Sequence, residues 1–420
     1  MTRATTSQQL ADPSPSLLRL AGLPYFLIAF IARLPFAMMV VGVLTVVVSA
    51  RGSLSLGGLT SAAVGLGTAC FGPLLGAAAD RFGQRAVLIV LAVANGAMLL
   101  LFTFVVYGTA ADGFVLLAAV GIGATAPQVA PLSRSRLVTI IRDRMPEARR
   151  DRTVSGTMAY ESAADETVFV FGPFLVGILA SAISPWAPLV GAAALTVVFV
   201  GAFALHPSGR HVSQDRDADG RAPSAVSELF RPELLIVVVG ILGVGIFFGT
   251  MLTSLTSFMA DRGAPEQAGL LYGVMGVGSA LLALGVAWLP PAFSMRARWL
   301  VFSGILLGGT LLLGFVDSPG TMMVALAIMG IGIGPTLVTQ YSFGAARSPL
   351  GRSATVMTML GSGVVVGQSI GAAVAGELAE NVGTSAALLL PMIAAFITFA
   401  AGVANWVLSG ERRRRSSVTV

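Results

Sequence analysis

Long apolar stretches separated by short charged turns dominate this chain. Apolar runs fall at 23–49, 54–79, 86–107, 114–132, 154–183 and 186–205, and after a gap at 234–259, 268–290, 299–316, 321–344, 353–376 and 385–409. About 20 apolar residues suffice to cross a bilayer as helix, so the pattern predicts twelve membrane-spanning helices in an all-α integral membrane protein. The first run exceeds the roughly 7–15 residues of a secretory-signal core and carries Arg33, so it reads as a span despite the small residues Val48-Ser49-Ala50 near its end.

The longest stretch without apolar character is 207–231, rich in Asp, Arg and Ser. It divides the chain into an N-terminal six-helix half (1–206), a linker (207–231) and a C-terminal six-helix half with a basic tail (232–420). The halves resemble one another. Gly58-Leu59, Gly65 and Gly67-Thr68-Ala69 of the second run align with Gly269-Leu270, Gly276 and Gly278-Ser279-Ala280 of the eighth, 211 positions on. In that register Phe82 and Arg85 meet Phe293 and Arg296, while Asp80 meets Pro291. Gly121-Ile122-Gly123 with Pro127 is matched to Gly330-Ile331-Gly332 with Pro335 at an offset near 209, with a one-residue gap.

Composition agrees with the pattern. The 420 residues are 55% hydrophobic and only 11% charged, too little polar surface for a soluble protein. The net charge of +6 rests on 26 basic residues, all arginine. With a cytoplasmic N-terminus, 23 of them fall in inside segments, only Arg51 and Arg262 fall outside, and Arg33 lies within a span. That is the bias of membrane topology rather than of a nucleic-acid surface. Both termini and the linker are expected in the cytoplasm, the protein in the plasma (inner) membrane, and Arg412 to Arg415 among lipid headgroups. Cys70 reads as packing, and His206 and His211 as surface residues of the linker. No metal site or cofactor is expected.

Between the second and third runs lies Gly76-Ala-Ala-Ala-Asp80-Arg81-Phe-Gly83-Gln84-Arg85. Gly72 and Gly76 form a pair that admits a neighbouring helix closely, and Gly83 permits a bend denied to other residues. Asp80 can pair with Arg81 or Arg85, or face the positive N-terminus of another helix. This turn resembles the signature loop of the major facilitator superfamily of secondary transporters, matched at Gly76, Asp80, Arg81, Gly83 and Arg85, with Gln84 where the family usually has a basic residue. The resemblance implies two six-helix repeats that rock about a midplane substrate site, and it implies that Asp80 meets the start of the eleventh helix, near Ser353.

Four charged residues fall inside the expected spans: Arg33, Glu161, Asp165 and Glu166. Each costs about 2.5–3.5 kcal/mol at the membrane centre, so pairing, hydration or function is expected. Arg33 and Asp165 lie at equal depth, about 15 Å into their helices at 1.5 Å per residue, and are expected to meet. Three acids then face one base, and an acid left over must reach water or carry a proton. The alternative is a static network in which Glu161 pairs with Arg134 or Arg136 at the end of the fourth helix. The C-terminal half has no charge in any span, only Gln340, Tyr341, Gln368 and Asn405 among its larger polar groups. Gln128, Gln340 and Gln368 are the candidate cavity residues, and so apolar a half suits an amphipathic substrate. The glycines at 245 and 249, and at 363, 367 and 371, read as close helix contacts.

Proton-driven exporters of the resembled family carry a basic residue in helix four and Gly-Pro-x-x-Gly-Gly in helix five. Here Gly172-Pro173 is followed by Gly177, one residue too far, and 114–132 holds no arginine. No phosphate-binding loop is present, which argues against ATP-driven transport. The expectation is a monomeric, proton-coupled exporter of a small amphipathic molecule, with protons and membrane lipids as its other partners and no nucleic acid. An importer of a small organic metabolite, or a non-transporting scaffold or sensor, is the alternative; an enzyme is not expected.

Overall fold

The computed structural model describes residues 16–210, 224–263, 268–290 and 292–418, and within them the apolar runs are helices. In the first half these are α1 (Leu23–Ile31 and Leu34–Arg51), α2 (Leu54–Phe82), α3 (Gln84–Tyr107), α4 (Asp112–Thr125 and Val129–Arg144), α5 (Glu147–Ala182) and α6 (Ala187–Leu205). In the second they are α7 (Pro232–Ala260), α8 (Ala268–Gly285), α9 (Met295–Leu311), α10 (Pro319–Arg347), α11 (Ser353–Asn381) and α12 (Leu390–Val418). Eleven helices among the described residues are long and apolar enough to cross a membrane. The other, α5, is 36 residues long, has several side chains outside the described set, and packs along α1, α4 and α8. The protein is a multi-pass membrane protein.

Two helices are broken where proline dictates. Pro35 lacks the N–H that would bond the Ile31 carbonyl, and α1 interrupts at Ala32 and Arg33, with Arg33 buried in the interior. Pro127 bars its predecessor from helical ψ; Ala126 sits at ψ 120° and α4 restarts at Val129. The restarted piece runs to Arg144, well beyond the expected end at 132, and carries Arg134 and Arg136 into the core.

The repeat is visible in how the small residues pack. A Cβ on Gly123 of α4 would strike the α2 backbone at Val64 and Thr68, and one on Gly334 of α10 would strike α8 at Ser279. Gly121 faces Met98 of α3, and Gly332 faces Leu306 of α9. The equivalent α2 and α8 positions, Val64 with Thr68 and Met275 with Ser279, are met by Gly123 and by Gly330, so the register of 211 between α2 and α8 shortens to 207, by one helical turn, between α4 and α10. Pro127 breaks α4, whereas Pro335 sits inside continuous α10. The two glycine ladders of the C-terminal half meet each other, Gly245 and Gly249 of α7 against Gly367 and Gly371 of α11 and their neighbours.

Successive helices run antiparallel, so the turns at 82–84, 144–147 and 289–295 and the start of α1 share one arginine-rich end of the bundle, here the basic end. Two arginines at the opposite end are used as helix caps. Arg51 donates to the carbonyls of Val105, Val106, Gly108 and Ala110 at the end of α3, and Arg262 to those of Phe258 and Asp317. A cation is favoured at a helix C-terminus, which accounts for these exceptions to the arginine bias. Cys70 lies exposed on α2, not packed as expected.

Candidate functional site

At the basic end Gly83 (φ 85°) makes the whole turn between α2 and α3, a conformation open to glycine. The turn leaves Asp80 beside the start of α11. Its carboxylate accepts from the backbone N–H groups of Ala354 (3.0 Å) and Thr355 (2.8 Å) and from the Thr355 hydroxyl (2.5 Å). Those are the amides a helix N-terminus leaves free. Gly76 lies one turn away, where a Cβ would strike Thr358 of α11. Arg81 stacks on Phe82, 5.3 Å from the ring centre, and Arg85 is exposed. Gln84 is fully buried, donating to Ser135 of α4 (2.7 Å) and accepting from Arg136 (3.1 Å). A cation at this position would face the Arg136 guanidinium, which accounts for the departure from the usual basic residue.

The interior charges form one network across α1, α4, α5 and α10. Arg33 donates to Glu161 at 2.5 Å, and Glu161 also accepts from Ser133 (2.9 Å). The Ser133 proton being committed there, the Tyr25 hydroxyl donates to Ser133 at 2.7 Å. Asp165 lies 3.5 Å from Arg33 and 2.6 Å from Arg134. Arg134 in turn lies over the Tyr341 ring, 3.9 Å from its centre, a contact between the halves. One turn below Tyr341, the Ala345 carbonyl of α10 accepts from Arg142 of α4. Arg33 and Glu161 are almost fully enclosed, whereas the Asp165 side chain is 22% exposed.

Three expectations are corrected here. Arg33 takes Glu161 as its close partner, with Asp165 a longer contact, and Arg134 pairs with Asp165 instead of Glu161. Arg33 is not the sole arginine in the membrane interior, because α4 continues past Gln128. The excess of acid disappears: three buried arginines, Arg33, Arg134 and Arg136, accompany Glu161 and Asp165. The Glu166 side chain lies outside the described residues. Ser133 and Tyr25 went unrecognised as members of the site, and Arg134 was expected only as a partner of Glu161 at the helix end, although the apolar run Leu137-Val138-Thr139-Ile140-Ile141 after Arg136 was the signal that the helix goes on.

Arg136 is held by neutral groups. It donates to the Phe203 carbonyl (3.0 Å) and Ser208 (3.3 Å) at the end of α6, where the helix dipole is negative, and lies over the Phe203 ring. His206, expected on the surface, packs its ring on Tyr25 and bonds Ser208. Burial first, then the Arg136 charge, holds its imidazole below the ordinary histidine range. His211, Pro291 and the Arg412 to Arg415 side chains lie outside the described residues.

Of the cavity candidates, Gln128 sits at the α4 break, its amide donating to the Ala126 carbonyl, near Gly72 and Ser362 where the halves meet. Gln340 is enclosed in the C-terminal half against Gly240 and Trp299, with neither amide atom hydrogen-bonded, so it does not line a space between the halves. Gln368 is half-buried and its backbone packs on Gly249. No group of three or more His, Cys, Asp or Glu among the described residues could hold a metal.

The sequence profile of the Major Facilitator Superfamily matches residues 25–360. No curated protein matches the chain by sequence. Among solved structures, the human organic anion transporter MFSD10 (TETRAN) is similar at 18% identity and TM-score 0.71, covering 92% of this chain and 100% of that one. A bacterial homologue of the iron transporter ferroportin in its outward-facing state is similar at 13% identity and TM-score 0.74, covering 94% and 100%. The transporter FucP in its outward conformation is similar at 14% identity and TM-score 0.66, covering 92% and 99%.

Proposed function

The chain belongs to the major facilitator superfamily and is a membrane transporter rather than an enzyme, and on that footing we propose that it exports a small amphipathic compound in exchange for protons. The observation that carries the proton coupling is Asp165. It is the exposed member of an otherwise enclosed network, it is shared by two guanidiniums, and one of these, Arg134, rests on Tyr341 of the other half. A proton arriving at Asp165 cancels the charge that holds Arg134. A buried guanidinium without its carboxylate is costly, so Arg134 leaves, its stack on Tyr341 breaks, and the basic end opens. Loss of the proton there lets the pair re-form. Glu161 keeps its bonds to both Arg33 and Ser133 throughout.

The basic end faces the cytoplasm in this reading, as its arginines favour; reporters fused at 220 and 420 read inside and one at 112 outside. Export is supported by Gly172 of α5, seated so closely on Ala37 of α1 that a Cβ would clash, in the element that resembles the helix-five motif of family exporters. The apolar interior of the C-terminal half supports an amphipathic cargo. The test is reconstitution in liposomes with a panel of lipophilic fluorescent compounds, with and without a pH gradient. Asp165→Asn should lose the response to the gradient yet keep energy-independent exchange. Gradient-driven transport by a variant lacking Glu161, Asp165 and Glu166 together would overturn the coupling.

A further inference from the structure

On the outer flank of the N-terminal half, where α1 and α5 diverge at the basic end, a groove of 240 Å³ is lined by Leu17, Phe26, Thr153, Gly156, Thr157 and Tyr160. It is smaller than the roughly 300–1,000 Å³ of pockets that take drug-sized ligands, and its size and apolar floor suit a single hydrocarbon chain. Its surroundings are lipid-facing: Leu18, Leu23 and Leu27 beside it are exposed. The groove ends at Tyr160, whose hydroxyl reaches the Phe26 carbonyl at 3.5 Å, one residue from Glu161.

The charges at its mouth are sorted by helix face. Arg149 and Arg152 stand on the side of α5 that carries Thr153, Gly156 and Tyr160, at spacings of three, four, seven and eleven residues. Measured from Thr153 at 100° per residue, Arg149 lies about 40° and Arg152 about 100° to one side, and Glu147 about 120° and Asp151 about 160° to the other. The short helix Leu17–Ala21 supplies one groove wall through Leu17 and carries no acid. The mouth is therefore cationic while the acids of the same turns point elsewhere.

We propose that this groove binds an anionic phospholipid, one acyl chain lying along Phe26 and Gly156 and the headgroup held by Arg149 and Arg152. An occupant wedged between α1 and α5 would steady the two helices that carry Arg33 and Glu161. The site requires only that the chain lies in a membrane, so it stands or falls separately from the proton coupling.

The test is native mass spectrometry of the purified protein titrated with phosphatidylglycerol or phosphatidylcholine. Wild type should retain phosphatidylglycerol in preference to phosphatidylcholine. Arg152→Gln should lower phosphatidylglycerol retention about fivefold, as a single arginine near an anionic surface is worth, and Arg231→Gln, an exposed arginine at the start of α7, should leave it unchanged. Thr153→Trp, which fills the groove, should reduce retention of both lipids. Arg152→Gln alters only an exposed side chain, so it remains informative if the tryptophan variant misfolds. Equal retention of the two lipids by wild type, or an Arg152→Gln variant that retains phosphatidylglycerol as well as wild type, would overturn the site.

Discussion

The two halves share a fold but differ in chemistry. The N-terminal half holds Arg33, Glu161, Asp165, Arg134 and Arg136 in its interior, while the interior of the C-terminal half offers Gln340, Thr336, Tyr341 and Asn405, its buried Arg298 being spent on the carbonyls of Leu289, Pro290 and Phe293 at the start of α9. The difference carries through to the contacts between them. Asp80, Arg134 and Arg142 come from the first half, and they meet backbone amides of Ala354 and Thr355, the Tyr341 ring and the Ala345 carbonyl. Charge on one side and neutral receivers on the other make a junction that can part without stranding an ion on both sides, whereas a symmetrical ion pair would resist separation.

The sharpest way to break this comparison is to remove a charge enclosed in the first half. Arg33→Ala should destabilise the protein by about 3–5 kcal/mol, because it leaves Glu161 buried without its partner. Adding Glu161→Gln should restore much of the loss and adding Asp165→Asn little, read as unfolding midpoints in detergent. Better rescue by the Asp165 change would mean that the long contact, not the short one, is the pair that matters.

At the junction the effects should be smaller and should fall on conformation. Asp80→Asn should leave the protein inserted but shift it toward conformers open at the basic end by about tenfold or more, since hydrogen bonds to a charged group contribute about 1.5–3 kcal/mol. Thiol labelling of a cysteine introduced at Ser353 reads this opening, and transport should fall with it; unaltered labelling and transport would remove the role. Tyr341→Leu should weaken the same closure by about 0.5–2 kcal/mol, the range of a cation–π contact, and Tyr341→Phe should be close to wild type by the same labelling.

The smallest effect is expected deep in the second half. Gln340→Leu removes an enclosed amide with no hydrogen-bond partner and should change the unfolding midpoint by no more than about 1 kcal/mol, or raise it. A large loss there would show that the C-terminal interior also depends on a polar group, and the contrast between the halves would fail.

Hydropathy determined the helices and their alternation, because a bilayer admits few other ways to satisfy a backbone. The Gly76 to Arg85 turn and the 211-residue repeat pointed to the family. Equal depth brought Arg33 and Asp165 into reach, since rise per residue is fixed. Partner choice was beyond that reckoning. Depth does not say which way a side chain points, and the break at Arg33, made by Pro35, turned the guanidinium onto Glu161. Arg134 looked like the end of the fourth helix because charge was taken as the end of a span; Asp165 and the Tyr341 face supplied what lipid would have denied it. Those partners come from α5 and α10, remote in sequence, and only the packing of the halves brings them to one place.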